Sequence, residues 1–447
     1  MAEKKQSPWR FLWKSQDIRR KLVITFILLA IYRIAANFPA PGVDAAALAA
    51  FRESAAGQGT FLGFLDLLSG GTVSNFSLLS MGVYPYITAQ IIIQLLVPII
   101  PALQRRMEED PREGRKWMEK WTYYLAVPMA ALSAVGQINI FNSLAQAQIV
   151  NFGFTGEQII PSLAILLSMT AGTMFAIWLG ELISEYGIRG QGLSLVIFAG
   201  IVAQIPYNIF ALISSNDWGL VIFTVLMIIL TIFAIVFVQQ GRRNVPVMYP
   251  GRRMGNRMSM PVKGTLPLMV NLAGMIPLIF ANALLQFPVI LSSWFLRSET
   301  PWVANLAQGI QDTFNLNSWV YWVFYFIMVV GFTFFYTDVM FSQQNYGENL
   351  KRVGAQIPGV NRGAPTQKYL TRVQRRITLP GALFLGIVAI LPFFLKLLFP
   401  AASSGAAGLF LVSSSGLLIV VGVVRDTFMN IEAELKLHGY QDTLLVK

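Results

Sequence analysis

Long apolar runs, almost free of charge, alternate with polar connections along nearly the whole chain. They fill residues 22–38, 76–97, 120–138, 158–180, 193–213, 219–239, 265–291, 318–338, 377–397 and 407–424. A hydrocarbon core about 30 Å thick takes a helix of roughly 20 mostly apolar residues. In lipid every backbone polar group must be paired within the protein, which helices achieve. The pattern therefore predicts an all-α membrane protein with ten transmembrane helices. An even number places both termini on the same side. Five spans per half is odd, so a second half that repeats the first is inverted relative to it. The division falls near residues 207–219, giving a first half over 22–213 and a second over 214–424.

Residues 1–21 precede the first span and mix Trp9, Phe11, Leu12 and Trp13 with basic residues, which suits an amphipathic segment on the membrane surface. The basic-then-apolar order of residues 1–38 is that of a signal peptide. The apolar run is long and nine more follow, so we read it as a retained helix. One apolar segment, Phe61-Leu-Gly-Phe-Leu-Asp66-Leu-Leu-Ser69, is too short to cross, and Gly70-Gly71 follow it. It is either an interfacial helix in a loop or a half-inserted segment hinged at the glycines.

Charge sets the orientation. Of 34 Lys and Arg, seven precede residue 22, six lie in 98–120, one in 181–192, six in 240–264, seven in 339–376 and three from 425 onward. The opposite side holds only Arg52, Arg297 and Lys396, and Arg33 lies inside the first span. By the positive-inside bias both termini, the tail 425–447 and the loops 240–264 and 339–376 are cytoplasmic.

Composition narrows the chemistry. Charged residues are 13% of the chain and apolar residues 55%, with no Cys and one His, His438. Thiol nucleophiles and iron–sulfur clusters are excluded, and histidine-based metal or acid–base chemistry has nothing to build on. No Gly-Lys dipeptide occurs, hence no P-loop. Gly187-Ile-Arg-Gly190-Gln-Gly192 is a glycine cluster in a short turn that follows no strand, so it is no dinucleotide site. Ion-coupled transporters carry ionisable groups at membrane depth. Here Glu181, Asp338 and Asp426 sit at span ends. No enzyme and no cofactor is expected. Pro267, Pro277 and Pro288 in one span and Pro85 in another predict bent helices, useful in a bundle that opens.

Motifs then point to a family. They include Pro39-Ala-Pro-Gly-Val-Asp44, Asp66-Leu-Leu-Ser-Gly-Gly71 and Gly82-Val-Tyr-Pro-Tyr-Ile-Thr-Ala-Gln-Ile-Ile-Ile-Gln-Leu-Leu96. Gly172-Thr-Met-Phe, Trp178-Leu-Gly-Glu181, Ser194-Leu-Val-Ile-Phe-Ala-Gly-Ile-Val202 and Leu266-Pro-Leu-Met-Val-Asn-Leu-Ala-Gly-Met-Ile-Pro277 continue the series. From about residue 18 to 440 the chain resembles the SecY/Sec61α family of protein-conducting channels. The resemblance implies two inverted five-helix halves around an hourglass channel, closed by a short re-entrant plug helix at 61–72. Phe61, Phe64, Leu65, Leu67, Leu68, Gly70 and Gly71 would belong to that plug. It implies a pore ring of Val83, Ile87, Leu193, Ile197, Ile279 and Ile419, where most relatives carry more isoleucines. It places polar lateral-gate positions at Gln94 and Asn271, within the second and seventh helices.

The resemblance further implies a central channel subunit of the bacterial plasma membrane that conducts unfolded secretory polypeptides and releases signal sequences and membrane segments sideways into lipid. The implied partners are SecE and SecG, the motor ATPase SecA, the ribosome, and a YidC-type insertase with SecD/SecF. Arg252, Arg253, Arg257, Lys351, Arg352 and Arg362 would meet the motor or ribosomal RNA phosphates. One departure stands out. Relatives read Pro-Gly-Ile-Arg-Pro-Gly in the long loop, whereas this chain reads Pro358-Gly-Val-Asn361-Arg362-Gly363, displacing the arginine by one position.

Overall fold

The computed structural model describes residues 15–44, 46–48, 76–144, 150, 152–153, 156–214, 218–250, 253–254, 257–258, 262–295, 300–314, 318–398 and 413–437. The expected plug at 61–72, Arg252 and His438 lie outside these residues, and Arg253 and Arg257 are described as backbone only.

The described residues are mostly helical. The helices are α1 Gln16–Ala35, α2 Tyr84–Ile99, α3 Pro101–Glu109, α4 Pro111–Leu144, α5 Ile159–Tyr186, α6 Gly192–Ser214 and α7 Trp218–Gln240. After four strands come α8 Ile276–Ser293, α9 Pro301–Thr313, α10 Trp319–Gln343, α11 Tyr346–Arg352, α12 Ala364–Leu398 and α13 Ser413–Leu437. Among the described residues, five helical stretches are long and apolar enough to cross a membrane: Ile159–Tyr186, Val221–Gln240, Ile276–Ser293, Trp319–Arg352 and Ala364–Phe394. Tyr84–Val97 and Gly192–Ala203 are shorter apolar helices.

The seventh predicted span, 265–291, needs correction. Strand β1 (Arg242–Tyr249) pairs antiparallel with β4 (Val262–Met269), with β2 (Arg253–Met254) and β3 (Arg257–Met258) between them. The ladder of β1 and β4 therefore reaches into the predicted span, and α8 begins only at Ile276. Hydropathy could not separate an apolar strand from an apolar helix here. Pro267 stands opposite Asn244 in the ladder.

The other prolines are sorted by position. Pro85 and Pro277 occupy the first turns of α2 and α8, where a missing N–H leaves no bond unmade. They start helices rather than bending them. Pro128, Pro206, Pro288, Pro380 and Pro392 lie inside helices.

The described residues form three apolar cores. The largest joins α1, α2, α4, α5, α6, α7, α8, α10, α12 and α13. A second holds Ala40, Phe76, Ile138, Phe141, Ile165 and Met169, with the Phe76 and Phe141 rings edge to face at 5.0 Å. There the chain before α2 pairs with the segment after α1. Ala40 N donates to Phe76 O at 2.9 Å and Leu78 N to Phe38 O at 3.0 Å. Phe76 (φ 44°) and Gly82 (φ 52°) take left-handed conformations that let residues 76–83 turn instead of continuing α2 backward. The predicted span from 76 thus becomes a turn followed by a shorter helix. The third core lies at the lysine- and arginine-rich end.

Candidate functional site

Four elements bring the six expected ring residues into the central core. Val83 is the residue just before α2, and Ile87 follows one turn later on the same face. Leu193 and Ile197 repeat that spacing on α6, while Ile279 comes from α8 and Ile419 from α13. Val83, Ile87, Ile197, Ile279 and Ile419 are all buried, and Leu193 is half-buried against them. Gly180 on α5 makes room for Leu193, since a Cβ there would press on its Cδ2. All six belong to or pack against one large apolar core, which also holds aromatic residues such as Tyr86, Phe280 and Tyr325, and they come from elements far apart in sequence.

The gate positions behave differently. Gln94 lies on α2, with its Oε1 buried and unpaired. Asn271 is not within a helix, as the sequence reading expected, but in the link between β4 and α8. Its Nδ2 donates to Gly274 O at 3.0 Å, so it braces the turn that starts α8, where Gly274 is left-handed at φ 65°. No hydrogen bond joins Gln94 to Asn271 among the described residues. Among the described residues a hydrogen bond does join α2 to α8: Tyr84 Oη donates to the main-chain oxygen of Asn282 at 3.2 Å.

Sequence reasoning missed Asn282 and Gln286. Both lie on α8, one turn apart, both are buried, and none of their amide atoms has a hydrogen-bond partner. Unpaired buried amides are costly, so such groups sit where a partner arrives or the packing changes. Two amides four residues apart in an otherwise apolar span were the available signal.

At the basic end, the two loops 240–264 and 339–376 form one platform. Val245, Val247 and Leu268 of the hairpin pack with Phe341, Ala355, Ile357, Leu370 and Val373. Met248 and Gln356 exchange main-chain hydrogen bonds of 2.8 and 2.9 Å. The second segment is no open loop: α11 and the first turns of α12 occupy most of it. Gly347 lies so close to Gly363 O and Gln367 that a side chain would not fit, and its N–H donates to Gln367 Oε1 at 2.8 Å. Lys351, Arg352 and Arg362 are exposed on this platform. Arg352 Nε stands 3.7 Å from Glu348. Arg362 lies in a turn between two left-handed glycines, Gly359 and Gly363, directly before α12.

Comparison with known proteins fits this architecture. A sequence model of the SecY family, described as SecY, matches residues 77–428. The protein translocase subunit SecY of Streptomyces griseus is 36% identical over 440 residues, covering 97% of this chain and 98% of that protein. The SecY of Halalkalibacterium halodurans is 37% identical over 446 residues, covering 96% and 97%.

Two solved structures share the fold. One, described as "The structure of a protein conducting channel", superposes with a TM-score of 0.59 at 18% identity, covering 95% of this chain and 98% of that one. Another, on the plug domain of SecY and the closed translocation channel, gives 0.63 at 19% identity, covering 98% and 100%. The match runs through nearly the full length of both sequence and fold, and the chain belongs to the SecY family.

Proposed function

We propose that this chain is the central channel subunit of a Sec protein translocase. It is a multi-pass membrane protein of ten spans in two inverted halves, with both termini on the cytoplasmic side of the bacterial plasma membrane. The observation that supports the reading is that Val83, Ile87, Ile197, Ile279 and Ile419, from four elements, are all buried in the central core, with Leu193 packed against it. An apolar constriction dewets, blocks ions and still yields around a passing chain, because its side chains have no fixed partners to lose. Residues 61–72 serve as the plug.

The α2–α8 contact at Tyr84 and Asn282 serves as the lateral gate, with Gln94, Asn282 and Gln286 as amides along it. Opening there lets an apolar signal helix enter lipid, driven by burial of its apolar surface. The chain carries no nucleotide-binding motif, so movement of the substrate is driven from outside. The platform of hairpin and α11–α12 fits docking of SecA or a ribosome, and a related canine channel, Sec61, is known in a ribosome–channel complex. SecE, SecG, a YidC-type insertase and SecD/SecF complete the proposed assembly.

The absence of cysteine provides a clean test. Ile87→Cys is reconstituted with its partner subunits, and a secretory precursor with a single cysteine is stalled in transit. A disulfide that forms only with the stalled precursor is expected. Active translocation with no disulfide at position 87, 279 or 419 would place the path elsewhere.

A further inference from the structure

Helix α9 joins the ends of α8 and α10 that are remote from the arginine-rich platform, since α8 leads away from β4 and α10 leads back to α11. At 3.6 residues per turn its 13 residues divide into three strips. One strip faces the protein. Ala307 is buried there, with Val303, Ile310 and Phe314 (just past the helix end) half-buried on the same side. This strip packs on α8, and the Phe314 ring meets that of Phe324 on α10 at 6.1 Å. A second strip, Asn305, Gln308 and Asp312, is polar and exposed. Between the two run Trp302, Leu306, Gly309 and Thr313, all exposed, with Trp302 at 69% and Leu306 at 56%.

A helix that met only protein and water would need one apolar face and one polar face. Here a further apolar strip, about 16 Å long, separates them, as it does where protein, lipid and water meet. The neighbouring helix ends repeat the signal. Trp294 and Phe295 follow α8 and are exposed, and Trp319, 66% exposed, opens α10. Tryptophan collects at the membrane–water boundary because its ring is apolar with one polar edge. From Trp319 the exposed side of α10 continues one turn at a time through Val323 and Ile327, along a helix long and apolar enough to span. Helix α9 itself holds no Lys or Arg, so lipid charge has no part in the attraction.

We propose that α9 is an interfacial helix lying in the plane of the membrane surface at the end remote from the platform. Trp302 and Leu306 sink into the boundary between headgroups and acyl chains, while Asn305, Gln308 and Asp312 stay in water. A second copy of the chain would cover the apolar strip too, but it would leave the tryptophans at both neighbouring helix ends without a reason. Because α9 packs on α8, the anchor also fixes the depth of that end of α8. The inference requires α8 and α10 to be spans and nothing of conduction.

The chain has no cysteine, so single ones report position. Leu306→Cys and Thr313→Cys on the apolar strip, and Asn305→Cys and Asp312→Cys on the polar one, are each labelled with a nitroxide. The full-length protein is reconstituted in dioleoyl phosphatidylcholine vesicles. Collisions with oxygen, which concentrates in lipid, are compared with those of a nickel chelate, which stays in water. Labels at 306 and 313 are expected to favour oxygen and to lie about 5–10 Å into the boundary region. Labels at 305 and 312 are expected to favour nickel, and added phosphatidylglycerol to leave all four depths unchanged. Nickel collisions at 306 and 313 equal to those at 305 and 312 would put the strip in water and overturn the proposal. Exclusion of both reagents at 306 and 313 would put it under protein, with equal effect, and relief on diluting the chain among vesicles would identify that cover as a second copy. An oxygen preference that arises only with phosphatidylglycerol present would overturn the uncharged attraction.

Discussion

Gly172 and Gly192 fall within or beside the quoted motifs, and the structure gives each a steric reason. A Cβ at Gly172 would strike the main-chain oxygen of Leu78, in the turn before α2. One at Gly192 would strike Gly180 O, where α6 folds back on α5. Gly172→Ala and Gly192→Ala are therefore expected to destabilise by about 1–3 kcal/mol, as overpacking does. Gly331, on α10, has nothing within 4 Å of the same position. Gly331→Ala is expected to be neutral or to stabilise by up to about 1 kcal/mol, since alanine favours the helix. Thermal unfolding in detergent compares the three, and equal losses would refute the steric account. For the proposed ring, Ile87→Asn and Ile279→Asn should raise ion conductance in planar bilayers, because polar groups hold water in the constriction. Unchanged conductance and signal selectivity would reduce the cluster to core packing.

At the scale of elements, sequence and structure part company at the basic end. Charge counts marked 240–264 and 339–376 as cytoplasmic and the family resemblance implied partner binding there, yet their joining into one platform was not legible. It depends on Val245, Val247, Ala355 and Ile357, short apolar residues in polar surroundings that no helical period reveals. Likewise Asn271 read as a helical amide because an alternating strand and an apolar helix look alike over eight residues. The test is local. Val247→Ser together with Ile357→Ser should loosen the hairpin, so that trypsin cuts faster at Arg253 and Arg257. Helix melting should stay within about 1 °C, since the third core is separate from the central one. A parallel fall in helix stability would show that platform and bundle unfold as one unit.

Over the whole molecule, the first and last helices among the described residues meet. Lys21 of α1 pairs with Glu434 of α13, both side chains about three-quarters buried. Asn430 donates to Arg189 O at 3.4 Å, and Arg425 to Gln239 O at 3.2 Å, tying α13 to the elements around α5–α6 and α7. Glu434→Lys is expected to destabilise by about 3 kcal/mol, because it leaves two buried cations facing one another. Lys21→Glu with Glu434→Lys should recover most of that loss, and a thermal melt in which the double variant is no better than the single would refute the pairing.

The sequence by itself determined that the chain is largely helical with several membrane-length apolar helices, and it carried the family motifs. Those follow from composition and spacing, because lipid admits only long apolar helices. Tertiary structure alone decided that Val83, Ile87, Leu193, Ile197, Ile279 and Ile419 share one cluster and that two distant loops share one core. It also decided that Asn282 and Gln286 are left without partners. Each depends on which faces of remote helices meet, and that is set by packing among the elements rather than by the pattern within any one of them.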